Sequence, residues 1–276
     1  MNQHSTTGAV TEREIDGLSP RQLVWAMAVG QVLLVVIFIG GNILHLNHNH
    51  PDEPIHPVFS HPGWNGDFDG SHAEILGHIQ MVLASVFLFF VAVARRIGVY
   101  LAWSAVMAAI VVDDMLQVHE RGGEVLVREL DLPGYGGLRP QDTGELLVWS
   151  VLAGVIGIGL VIAHVRAPRP ARRDSWGLFT AAVILVAFGV VLDQALILLA
   201  AESSVTVIQS AILLETTGEV AAMGLLLILA FRIAVRRRPA SAAEVQERAH
   251  GEGEDGERRE RELQKHPESQ GLERLH

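Results

Sequence analysis

Six long apolar runs fix what this chain can fold into. They extend from Gln22 to Leu46, Ala73 to Ala94, Val99 to Val118, Gly144 to Ile162, Trp176 to Ala200 and Val207 to Val235. A helix rises about 1.5 Å per residue, so roughly 20 residues cross the hydrocarbon layer of a bilayer. Stretches such as VLLVVIFIG and LLLILAF would otherwise have to share one soluble core, too many fully apolar helices for a domain of 276 residues. The expectation is an all-α polytopic membrane protein, a bundle of six transmembrane helices.

Arginine placement predicts the orientation, because cytoplasmic loops retain positive charge. Arg13 and Arg21 precede the first run, and Arg95 and Arg96 follow the second. Arg166, Arg169, Arg172 and Arg173 separate the fourth from the fifth, and Arg236, Arg237 and Arg238 follow the sixth. Both termini are therefore expected in the cytoplasm, in a multi-pass protein of the plasma (inner) membrane. The first run lacks a small-residue cleavage site and reads as a retained span. The expected organisation is a cytoplasmic segment 1–21, a transmembrane domain 22–238 with outward loops 47–72 and 119–143, and a charged tail 239–276 predicted to be disordered.

Composition narrows the chemistry. The absence of cysteine excludes disulfides, thiolate metal sites and cysteine nucleophiles. No nucleic-acid partner is expected, since the arginine clusters sit where membrane topology already requires them. No Walker loop, GxSxG elbow or dinucleotide fingerprint occurs, and glycines such as Gly154, Gly157, Gly189 and Gly218 read as sites of close helix contact.

Ionisable groups in or beside apolar runs are costly, so they point to function. Glu74, His78, Asp113, Asp114, His119, Glu120, Glu145, Asp193, Glu215 and Glu219 are such groups. With the predicted orientation all ten occupy the outward-facing half of the bundle, while the inner half holds only arginines and His164 near its boundary. Residues four or seven apart share a helix face, so Glu74 pairs with His78, Asp113 with Glu120, and Glu215 with Glu219. Glu145 also fits an ordinary helix start, with Asp142 or Thr143 as the cap.

So many carboxylates repel one another unless protons or a cation neutralise them. Asp, Glu and His without Cys suit zinc, iron or manganese, so a divalent metal is the expected cofactor. The expected ligands come from His78, Asp113, Asp114, His119, Glu120, Glu215 and Glu219, with Glu74 or Asp193 as the catalytic proton acceptor. Neither an HExxH string nor an HxxxH pair is present. The first outward loop adds His45, His48, His50, His56, His61 and His72 among four prolines, which suggests a metal-collecting flap or a lid. Asp67, Asp69, Ser71 and Glu74 form a DxDGSxxE string that only loosely matches a calcium loop.

The leading expectation is a metal-dependent membrane hydrolase acting on a lipid or amphiphile, with membrane lipids as its surroundings. A di-iron oxidase is a variant of it. The alternatives are a proton- or cation-coupled transporter, or a metal sensor or assembly protein without catalysis.

Overall fold

The computed structural model describes residues 19–47, 58–66, 68, 70–199 and 203–236. Residues 1–18, His48, His50, His56, Asp67, Asp69 and the charged segment from residue 237 onward lie outside it. Among the described residues all regular structure is helical: α1 (Pro20–Asn47), α2 (His72–Arg95), α3 (Gly98–Leu116), α4 (Val118–Leu130), α5 (Pro140–Arg166), α6 (Arg169–Val186), α7 (Asp193–Leu199) and α8 (Val205–Val235). A 3-10 turn, Pro62–Trp64, precedes α2, and a π-helical segment, Ala187–Leu192, joins α6 to α7. Among the described residues six helices are long and apolar enough to cross a membrane, the fifth being the continuous stretch Arg169–Leu198.

Local chemistry sets the helix ends. Ser71 caps α2 by accepting the Glu74 N–H at 3.2 Å. The α2–α3 corner turns on Arg96, and α3 ends on Gln117, both left-handed at φ 54° and 51°. Gln117 redirects the chain at once into α4, so the second outward loop expected at 119–143 is largely a helix. Arg139 caps α5: its backbone N–H donates to Asp142 Oδ2 at 2.9 Å and its Nη2 to Oδ1 at 2.6 Å. That hydrogen bond, and then the carboxylate charge, raise the Arg139 guanidinium above its ordinary pKa.

α2 and α8 form the centre, with α3 against α2, and α6 and α1 against α8. Their buried contact is built from Met81, Leu88, Tyr100, Trp103, Met107, Leu178 and Leu226, each at most 1% exposed. Between apolar helices in lipid, association depends on close packing and interhelical hydrogen bonds. Both occur here. Ser85 and Ser104 each donate to the other's backbone carbonyl at 2.9 Å, and Gln80 Nε2 donates to Gln31 Oε1 at 2.6 Å. α5 is peripheral, resting on α4 and α3, and its first turn meets α4 backbone to backbone at Gly144 and Gly123.

The end of the bundle away from α4 carries a polar cluster absent from the sequence reading. Asp174, 5% exposed, accepts from Tyr100 Oη at 2.7 Å. Ser175 Oγ accepts from Trp103 Nε1 at 2.8 Å and lies 3.0 Å from His164 Nδ1. The half expected to hold only arginines and His164 therefore buries an acid, tied to neighbouring helices by aromatic donors.

Candidate metal centre

Glu74 and His78 lie one helical turn apart on α2, and Asp114 faces them from the last turn of α3. One ligand atom from each lies within 4.8 Å of the other two. His78 Nε2 is 2.5 Å from Asp114 Oδ2. Around an ion with ligands at roughly 2.0–2.2 Å, tetrahedral donor atoms stand about 3.4 Å apart. An ion held by both would need His78 Nε2 and Asp114 Oδ2 farther apart than they now stand, a shift within side-chain reach. Gly70, whose φ is +77°, donates its N–H to Glu74 Oε2 at 2.6 Å and fixes that carboxylate over the α2 start.

The three groups open into a cavity of about 580 Å³. Asp114 has 49% of its side chain exposed and His78 18%, so the donors are accessible from that space. Three protein ligands with an open side is the arrangement of catalytic metal sites, whereas structural sites are closed by four. Among the described residues this is the one group of three His, Asp or Glu side chains close enough to hold a metal.

The other expected site residues divide into two sets. His119, Glu120 and Glu219 line the same cavity outside the triad. Asp113 turns the other way: Oδ2 accepts from His119 Nδ1 at 2.8 Å, and Oδ1 accepts the His119 backbone N–H at 3.1 Å. His119 in turn packs on Trp149 with ring centroids 5.3 Å apart. Glu219 is seated by the π segment, where its carboxylate contacts Gly189 while the Phe188 ring packs on Gly218 in the reverse sense. Single-turn π segments inside helices recur at functional sites.

Asp193, Glu145 and Glu215 do not line this cavity. Asp193 opens α7 and contacts Gln194 at 3.1 Å, and Glu145 accepts from Gln141 at 2.8 Å. His45, His61 and His72, the described histidines of the first loop, form no metal group with one another. They brace the loop instead. His45 Nδ1 lies 2.9 Å from the Phe59 carbonyl, His61 stacks on His72, and His72 meets the edge of Trp64, which is seated on Gly41 of α1.

Sequence reasoning passed over Trp149 and Gly70. Trp149 is one hydrophobic residue among many in an apolar run, and Gly70 is the glycine of the DxDGSxxE string, with no side-chain donor or acceptor to draw notice.

Comparison with known proteins places the chain without assigning it an activity. No curated protein and no solved structure matches it. A family model described as a domain of unknown function (DUF8692) matches residues 24–235, the whole helical bundle, and the chain belongs to that family.

Proposed function

We propose that this chain is an integral protein of the plasma membrane, both termini cytoplasmic, that hydrolyses a lipid or other amphiphile at a divalent metal held by Glu74, His78 and Asp114. The observation behind this reading is the convergence of those three donors on one face of a cavity whose deeper walls include Met81, Val111, Leu185 and Val220. A polar, metal-binding side beside an apolar one suits a substrate with a polar reacting group and an apolar tail.

Zinc, iron or manganese fits this oxygen-rich donor set. Bound there, such an ion would supply a water with a pKa of about 7 and would polarise a carbonyl or phosphoryl oxygen. The chain's own groups then divide the remaining work. Glu74, first read as the proton acceptor, serves as a ligand, and Glu219 or His119 on the cavity wall takes the proton. Asp113 orients His119 so that Nδ1 is occupied and Nε2 is left for the cavity.

Elemental analysis of the purified protein tests the reading. One divalent ion per chain is expected, lost in Asp114→Ala and His78→Ala and retained in Glu215→Gln. A parent protein without stoichiometric metal overturns it. Two irons with visible absorption would favour the oxidase variant.

One observation favours a second reading, cation-coupled transport: the fifth span is interrupted by the π segment beside Glu219. A path through the bundle must also cross the layer of Ala84, Leu88, Met107, Leu178 and Ala181, each completely buried. That layer favours the enzyme. Cation flux in proteoliposomes that is abolished by Glu219→Gln would reverse the preference.

A further inference from the structure

The end of the bundle that holds Asp174 carries a charge pattern for which the proposed hydrolysis has no use. α5 ends at Arg166 and α6 starts at Arg169, so only Ala167 and Pro168 separate them. This short turn crowds Arg166, Arg169, Arg172 and Arg173 into eight residues. Arginine keeps its charge in proteins. None of the four makes an ion pair among the described residues. The one acid of the stretch, Asp174, is buried and accepts from Tyr100. The first turn of α6 has no acid either, and cations at a helix start oppose the helix dipole. Like charges crowded in this way attract an anion from outside the fold.

Helical spacing shows what else that anion would meet. Successive residues turn by about 100°, which sets Arg169, Arg172, Trp176, Phe179 and Val183 within roughly 80° of one another around α6. From Trp176 onward this face is open, with Trp176 59% exposed, Phe179 46% and Val183 49%. Trp176 is held in place by two edge-on ring contacts, to His164 at 5.4 Å and to Phe179 at 5.6 Å between centroids. His164 is in turn fixed by Ser175 Oγ, 3.0 Å from its Nδ1. Along one face, charge gives way to aromatic rings and then to an aliphatic side chain over roughly 17 Å of helix. Membrane topology accounts for the sign of the charge, but not for its alignment with an apolar strip. A soluble anion matches only the charged part of this face, whereas a phospholipid matches its whole length.

We propose that the α5–α6 turn and this face of α6 form a binding surface for an anionic phospholipid of the cytoplasmic leaflet. Arg169, Arg172 and Arg173 hold the phosphate, whose oxygens suit the planar fork of a guanidinium, and Arg166 adds attraction from across the turn. The glycerol backbone lies beside Trp176, and an acyl chain follows Phe179 and Val183. The surface shares with the hydrolase reading only the membrane spans. The fully buried Ala84, Leu88 and Met107 stand between it and the triad, so it does not depend on a metal.

The test uses the full chain in phosphatidylcholine vesicles in which a minor fraction of the lipid carries brominated acyl chains, as phosphatidylglycerol in one arm and as phosphatidylcholine in the other. Bromine quenches tryptophan fluorescence on contact, and Trp176 is the reporter. Brominated phosphatidylglycerol is expected to associate at least about fivefold more strongly than brominated phosphatidylcholine at low ionic strength. Trp176→Phe should remove most of the difference in quenching. Arg172→Gln combined with Arg173→Gln should bring the ratio close to one, while Arg121→Gln combined with Arg128→Gln, at the α4 end, should leave it unchanged. Arg172→Lys combined with Arg173→Lys keeps the charge that orients the spans, so its expected fall of about twofold decides the matter if the glutamine variant inserts wrongly. Equal association of the two lipids, a difference that survives Trp176→Phe, or an equal loss in the Arg121 and Arg128 variant overturns the proposal. A loss caused by inorganic phosphate beyond that caused by chloride at the same ionic strength also overturns it, because the occupant is then a free phosphate. Metal content of the same samples should not follow the ratio, so failure here leaves the hydrolase reading standing.

Discussion

Asp113 and His119, six residues apart, meet twice, through the imidazole at 2.8 Å and the backbone N–H at 3.1 Å. The left-handed Gln117 between them makes the return possible. Asp113 is 5% exposed, so removing it leaves two donors without their acceptor in a desolvated corner. Asp113→Ala is expected to cost about 1–3 kcal/mol. The thermal midpoint in detergent reads the loss. Bound metal should remain at the parent level, because Asp113 stands outside the triad; metal lost along with stability would make it a ligand.

Metal addition should stabilise the bundle by mass action. A ligand that binds only the folded state contributes about 2.7 kcal/mol at a hundredfold excess over its Kd. The parent's thermal midpoint is therefore expected to rise with added zinc or manganese and to fall after chelation. Asp114→Ala and Glu74→Ala should show neither change. An equal rise in those variants would locate binding elsewhere.

The contrast between Asp113 and Asp114 marks how far the sequence could be read. Length and apolarity delimit a span almost by themselves, so all six runs correspond to long helices. Helical spacing likewise placed Glu74 and His78 on one face. Successive helical residues project about 100° apart, so two adjacent aspartates cannot serve one site equally, and only tertiary structure decides which faces the cavity. α4 was hidden because VHERGGEVLVREL is polar and contains a Gly-Gly pair, which reads as loop until α5 supplies a surface for it. Asp174 was hidden because it lies in RRDSW, where charge suggested a solvated loop and nothing local announced Tyr100 as its donor.

Glycine positions separate contact from mere composition. A Cβ on Gly144 would lie 2.6 Å from the Gly123 carbonyl oxygen, which is backbone and cannot swing aside. Gly144→Ala is expected to cost about 2–3 kcal/mol by forcing α4 from α5. Gly157, in the same helix, has nothing within 4 Å of that position. Its alanine variant should be neutral or stabilising by up to about 1 kcal/mol, since glycine is the poorer helix former. Thermal unfolding of the two variants side by side checks the difference, and equal midpoints would mean that the Gly144 contact is not made.

The polar cluster at the Asp174 end gives the sharpest separation of stability from function. Tyr100 is 1% exposed, and its hydroxyl donates to Asp174 Oδ2 at 2.7 Å, linking α3 to α6. Tyr100→Phe keeps the ring and its packing and removes only the donor. A typical intramolecular hydrogen bond contributes about 0.5–1.5 kcal/mol net, and a loss of that size is expected in the thermal or denaturant midpoint. The fully buried residues Ala84, Leu88 and Met107 lie between this cluster and the triad. Metal stoichiometry should therefore match the parent at temperatures where both proteins are folded. A variant that keeps its stability but loses metal would show that the two ends communicate through the packed layer, which is the behaviour expected of a transporter.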